Sequence, residues 1–172
     1  MNPGPAARVL AALRRRGETV ATAESLTGGL VGMLLTAVPG ASVSYLGGVI
    51  SYATRLKQTL VGVDPEILAT EGPVAPATAA AMAVGVAERC QADWGVATTG
   101  VAGPDPQDGH PVGEVYVAAA YPAGERVEVR ALRLTGDRSA IREAAAAQVL
   151  ELLAASLGID EGEPDGRLAE PA

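Results

Sequence analysis

The sequence is poor in cysteine, in aromatic residues and in lysine, and each shortage narrows what the chain can do. A single cysteine, Cys90, permits no intrachain disulfide, so a reducing, cytoplasmic setting is the expectation. One Trp, four Tyr and no Phe leave the core to Ala, Val, Leu and Ile. So few rings also make poor stacking platforms for single-stranded nucleic acid. No apolar run approaches the roughly 18 residues of a membrane span. The N-terminal MNPGPAARVLAALRRRG carries its basic cluster after its apolar stretch, the reverse of a secretory leader. An excess of positive charge is missing as well. The formal net charge is −7, and residues 159–172 alone contribute −4. A nucleic-acid-binding face is therefore disfavoured, while a local anion site is not.

What is present is enough for one folded unit. The chain has 172 residues, 48% of them hydrophobic and 19% charged, far from a disordered composition. The expected organisation is a single domain over residues 1–158, followed by an acidic, disordered tail over 159–172.

The pattern along the chain alternates helix and strand. A helix is expected over Ala6 to Arg16, with Gly17 as its C-cap, then a short strand over Thr19 to Ala23. Thr27-Gly28-Gly29 opens a helix over Leu30 to Val38 that stops at Pro39-Gly40. Val43 to Ala53 is a long β-prone run. Arg55 to Val61 reads as a short helix closed by Gly62, and Asp64-Pro65 as an N-cap with proline at the first helical position. Thr78 to Cys90 is a strong helix and Trp94 to Thr99 a buried strand. A Gly/Pro-rich loop then runs from Gly100 to Pro111, and loops this long in compact domains are often functional. Val115 to Tyr121 and Val127 to Leu134 form a hairpin around Pro122-Ala123-Gly124, before a last helix over Arg138 to Leu157. Early alternation and a late hairpin imply an α/β fold, a three-layer α/β/α sandwich around a mixed, mostly parallel sheet.

Several residues invite chemistry. In Thr22-Ala23-Glu24-Ser25-Leu26-Thr27-Gly28-Gly29 a strand enters a helix, where open α/β sheets hold their ligands and helix N–H groups favour negative charge. Ser25 is either a nucleophile facing those donors or, like Thr27, a simple cap. The sequence is not GxSxG. A nucleophilic serine needs a base. His110, the one histidine, sits in the long loop between Gly109 and Pro111, where a solvated role is ordinary. The alternative is Lys57, between Leu56 and Leu60. An unperturbed lysine is neutral in only about one molecule in 2,500 at pH 7, so its pKa must fall by roughly 3 units to act as a base. Otherwise it is a snorkelling surface side chain. Tyr52 converges with Lys57 only if it ends a strand while Lys57 lies in the next turn, because on one helix they would sit about 140° apart. Thr99 ends the next strand. Arg138 opens the last helix, where a cation suggests a bound anion or a pairing with Asp137 or Glu143. Asp105, Asp108 and His110 lack any metal-ligand spacing.

Together, TAESLTGG, PGASVSYLGGVISYATRLKQTLVGV, ATTGVAGPD with PVGEVYVA, and GDRSAIRE resemble the CinA C-terminal domain family. These are competence/damage-inducible protein A-like proteins, including stand-alone nicotinamide mononucleotide deamidases, and the resemblance runs from Val9 to Leu157. It implies an α/β/α amidohydrolase that converts nicotinamide mononucleotide to nicotinic acid mononucleotide and ammonia without metal or cofactor. It implies Ser25 as nucleophile, Lys57 as base, Tyr52 as proton relay or orienting group, and Ser42 as rival nucleophile or shuttle. Thr27, Gly28 and Gly29 would supply oxyanion donors. Gly40, Thr99 and Arg138 would bind substrate, with Thr99 and Arg138 at its ribose-phosphate end. These 172 residues hold no counterpart of the large N-terminal molybdopterin-binding-like domain of full-length members, and a stand-alone enzyme is the expectation. A homodimer is expected, with no nucleic acid or membrane partner. The rival reading is a non-catalytic nucleotide-binding or regulatory module.

Overall fold

The computed structural model describes residues 4–121 and 124–159. All but the first residue of the expected tail at 159–172, and two residues of the hairpin turn, lie outside them. A five-stranded sheet has the order β2-β1-β3-β4-β5. Its strands are β1 (Val20–Glu24), β2 (Tyr45–Ile50), β3 (Trp94–Gly100), β4 (Glu114–Tyr121) and β5 (Arg126–Arg133). β1 pairs in parallel with β2 and β3, and β4 is antiparallel to both β3 and β5. Four of the five strands thus point one way, although the pairings divide evenly.

The helices are α1 (Pro5–Arg16), α2 (Leu30–Thr36), α3 (Thr54–Val61), α4 (Pro65–Thr70), α5 (Pro76–Cys90) and α6 (Arg138–Ser156). Helices α1, α2 and α6 cover one face of the sheet and α3 and α5 the other. The two faces differ in bulk. Val20, Val96, Val115 and Val117 turn toward the α1/α2/α6 layer, where Leu10, Leu13, Leu150 and Leu153 fill the space. Ala21, Ala23, Ala97, Ala118 and Ala120 turn the other way. Small residues let α5 approach its neighbours closely. A Cβ on Gly95 would lie 1.9 Å from the Ala83 carbonyl oxygen, and one on Gly85 would lie 1.6 Å from that of Val61. The lone Trp94 stacks on Tyr121 with ring centroids 4.5 Å apart, at the sheet's far end from the site described below.

The β-prone run over Val43–Ala53 is only partly strand. Ala41–Val43 forms a 3-10 turn, β2 spans Tyr45–Ile50, and the chain then leaves the sheet to enter α3. The expected cap at Asp64 is present, its carboxylate accepting from the Glu66 amide at 2.8 Å. Among the described residues no helix is long and apolar enough to cross a membrane.

Candidate active site

Strand alternation decides where the two neighbouring polar residues of the β1 turn go. Glu24 and Ser25 project to opposite faces. Glu24, 3% exposed, turns toward α2. Its carboxylate accepts from the Thr27 hydroxyl (2.7 Å) and from the amides of Gly29 (2.9 Å), Val31 (3.1 Å) and Gly32 (2.9 Å). The cap of α2 is therefore Glu24, not Ser25 or Thr27. The amides expected to stabilise an oxyanion are already engaged: Gly29 with Glu24, and Gly28 with the Ser25 carbonyl at 3.1 Å. Gly28 and Gly29 take positive φ, 57° and 102°, which allows the tight turn. Thr27 is fully buried, its hydroxyl 2.8 Å from that of Thr98 as well as bonded to Glu24.

Ser25 turns the other way, toward α3, and its amide donates to the Thr98 carbonyl at 3.0 Å. There it meets Lys57, the chain's one lysine. Lys57 is 1% exposed, and its Nζ lies 3.0 Å from Ser25 Oγ, 2.8 Å from the Ser51 carbonyl oxygen and 3.4 Å from the Tyr52 carbonyl oxygen. No carboxylate lies within ion-pair distance of it among the described residues. Burial pushes its pKa down to about 8. The side chain does not snorkel: Lys57 and Val61, one turn apart, form the buried face of α3, while Leu60 is 40% exposed. The three contacts give an ammonium three acceptors, and they also serve the neutral amine. Two N–H groups donate to the two carbonyls, and the lone pair is left for the Ser25 hydroxyl proton.

Tyr52 and Lys57 converge, but through the backbone. The Tyr52 carbonyl faces Lys57, whereas its phenol, on a residue 59% exposed, accepts from Arg138 Nη2 at 3.1 Å. Arg138 Nη1 also donates to the Gly103 carbonyl at 2.6 Å. Neither Asp137 nor Glu143 pairs with it. Asp137 caps α6 through the Ala140 amide (2.9 Å), and Glu143 accepts from Ser139 (2.9 Å). Thr99 is 1% exposed and its hydroxyl donates to the Pro73 carbonyl at 2.6 Å. Ser25, Lys57, Tyr52, Thr99 and Arg138 all line one open cleft.

Ser42 and Gly40 do not line it. They sit in a second, apolar groove with Tyr45 and Leu46. Ser42 precedes β2, whereas Ser25 follows β1, and the two strands are parallel with Val20 beside Tyr45. The serines therefore stand at opposite ends of the sheet, about 17 Å apart by the rise of a five-residue strand. Within one chain Ser42 cannot exchange a proton with Lys57. The histidine is also elsewhere. His110 Nδ1 lies 3.2 Å from Glu114 Oε1, which accepts from the Tyr116 hydroxyl at 2.6 Å as well. That hydroxyl, more than His110, holds the Glu114 carboxyl below its ordinary pKa. The pair anchors the end of the long loop, whose Gln107 and His110 bridge across Asp108-Gly109.

Sequence reasoning missed two residues. Glu24 is one. The other is Arg142, whose Nε donates to the Leu26 carbonyl (2.9 Å) and whose Nη2 donates to the Thr27 carbonyl (3.0 Å). Its spacing of four from Arg138, on the same face of α6, was the available signal.

Known proteins share this arrangement of chain. The family model described as the CinA C-terminal domain matches residues 4–157. A CinA-like protein of Frankia casuarinae is 50% identical over 145 residues, covering 84% of this chain and 33% of the relative. A putative competence-damage inducible protein of Geobacillus sp. (strain WCH70) is 48% identical over 130 residues, or 76% and 31% of the two chains. The chain thus spans about a third of the length of these curated relatives. Among solved structures, a CinA superfamily protein from Klebsiella pneumoniae superposes with TM-score 0.85 at 32% identity, over 90% of this chain and 96% of that one. The competence/damage inducible protein CihA from Agrobacterium tumefaciens gives TM-score 0.81 at 34% identity, over 92% and 98%.

Proposed function

The chain belongs to the CinA C-terminal domain family, and on that premise we propose that it is an amidohydrolase that deamidates nicotinamide mononucleotide. The reading rests on one observation above all: a buried amine, without a carboxylate partner among the described residues, 3.0 Å from a serine hydroxyl. With a pKa of about 8, roughly one molecule in ten carries the free amine at pH 7, far more than an exposed lysine would. Lys57 takes the proton of Ser25 as Oγ attacks the amide carbon, and the carbonyl electrons move to oxygen. When the carbonyl re-forms, the C–N bond breaks and the proton passes from Lys57 to the departing nitrogen, giving ammonia and an ester on Ser25. Water then attacks the ester, giving its proton to Lys57. Ser25 leaves and takes that proton back, and the carboxylic acid so formed loses its own proton to water, leaving the carboxylate. The carbonyls of Ser51 and Tyr52 hold the amine through both steps.

The mouth of the cleft suits a phosphate. Arg138 projects from the first turn of α6 with no carboxylate partner among the described residues, and the Tyr52 phenol steadies it. This gives Tyr52 an orienting part at the anion end in place of a proton relay to Lys57. The test is ammonia release from nicotinamide mononucleotide and from its dephosphorylated riboside. The wild-type protein should turn over the mononucleotide far better than the riboside, and Ser25→Ala should turn over neither. A wild-type protein that binds the mononucleotide without releasing ammonia would favour a non-catalytic nucleotide-binding module.

A further inference from the structure

An oxyanion needs donors, and the expected ones are bonded elsewhere. The Ser25 turn nevertheless leaves two amides without partners. Among the described residues, the Leu26 and Thr27 N–H groups donate to nothing, while Ser25, Gly28, Gly29, Leu30, Val31 and Gly32 amides are all bonded. Of the two free ones only Leu26 belongs to a residue lining the cleft, and that residue is 4% exposed. Elsewhere on the cleft lining the same pattern recurs. Ala102 and Gly103 are buried and line the cleft, and their amides have no acceptor among the described residues. Buried N–H groups without acceptors are rare in folded proteins. Leu26, Ala102 and Gly103, with Val74, supply such amides to the one cleft that holds Ser25.

We propose that the oxyanion hole is built from the Leu26 amide, the residue after the nucleophile, together with the free amides of Ala102 and Gly103 on the same cleft, and that Arg142 is the residue that positions it. The inference rests on the amidohydrolase reading and says which groups carry its charge. Arg142 pins the carbonyls of both peptides that follow the Leu26 amide, so the turn cannot rotate its donor away. Gly28 permits that grip: a Cβ there would come 3.3 Å from Arg142 Nη2. As Ser25 attacks, negative charge moves onto the substrate oxygen, the amides donate to it, and no proton is exchanged with them. Donors fixed in this way typically contribute 10²–10³-fold to kcat.

The decisive experiment replaces Leu26 by its α-hydroxy acid in the full chain, turning its N–H into an ester oxygen. The expected result is a loss of about 10²–10³-fold in kcat with KM nearly unchanged. The same replacement at Val31, whose amide serves Glu24, should leave kcat within a few-fold. Labelling of Ser25 by a fluorophosphonate, followed by mass spectrometry, should slow in parallel at position 26 only, whatever the true substrate. Retention of wild-type kcat and labelling rate by the position-26 ester would overturn the proposal, as would a larger loss at Val31. A wild-type protein that is labelled yet releases no ammonia from the mononucleotide sinks only the substrate. A wild-type protein that is not labelled sinks both. If the ester does not fold, Arg142→Ala decides: kcat should fall about tenfold or more, with KM held, and free guanidinium should restore it. An unchanged kcat there refutes the positioning role.

Discussion

Replacing Lys57 by methionine should make the protein more stable while abolishing its chemistry. The side chain is 1% exposed, and its pKa is pushed from 10.5 to about 8 by burial alone. At about 1.4 kcal/mol per unit, the charged lysine costs about 3 kcal/mol at neutral pH. Methionine fills nearly the same volume without a charge. It leaves the Ser51 carbonyl, bonded at 2.8 Å in the wild type, without that donor, which costs about 1 kcal/mol. The net gain is about 2 kcal/mol at pH 7, or roughly 4–8 °C in Tm for a chain of this size. The sign follows from proton uptake. Between pH 8 and 10.5 the unfolded lysine holds a proton that the folded one has lost, so wild-type stability rises with pH across that window. Urea unfolding at pH 7 and pH 10 should therefore show the advantage of Lys57→Met shrinking to near zero. A variant that is equally or less stable at pH 7, with a gap that ignores pH, would refute the claim that burial holds this amine near neutrality.

Three other outcomes follow from single contacts. Glu24→Gln replaces one of two oxygens that together accept four bonds, so it should lower stability by about 2–3 kcal/mol in urea titrations. Arg138→Ala should raise KM for the mononucleotide about tenfold or more with a smaller effect on kcat, and should leave the riboside's kinetics unchanged; equal losses on both would remove the phosphate assignment. Gly95→Ala places a methyl 1.9 Å from the Ala83 carbonyl oxygen, so α5 must shift, and a loss of about 3 kcal/mol is expected in thermal or chemical melts.

Much of the architecture was legible because apolar periodicity and Gly/Pro punctuation mark element type, and the late hairpin made the sheet mixed. The helix starts at Asp64-Pro65 and Asp137 were readable because caps are local chemistry. The β-prone run at Val43–Ala53 was misread at its ends, where the 3-10 turn and the entry into α3 are fixed by neighbours in space. The site was legible only in part. Ser25 and Lys57 lie 32 positions apart, and the parity of β1 decides that they share a face. The same parity sends Glu24 to α2 and so removes Gly28 and Gly29 from oxyanion duty, which composition and spacing do not reveal. Ser42 looked equivalent to Ser25 because a motif carries no strand direction. Placed at the start of β2 and not beyond the end of β1, it falls in the wrong groove. Arg142 was hidden because its partners are backbone carbonyls more than a hundred residues away.

The central claim is that a buried amine near neutrality activates Ser25. Because the chain has one lysine, a side-chain 15N NMR titration reports Lys57 without ambiguity. The midpoint should fall near pH 8, matched by the rise of kcat/KM for ammonia release with pH. A midpoint near 10.5, with a rate that ignores it, would contradict the account outright.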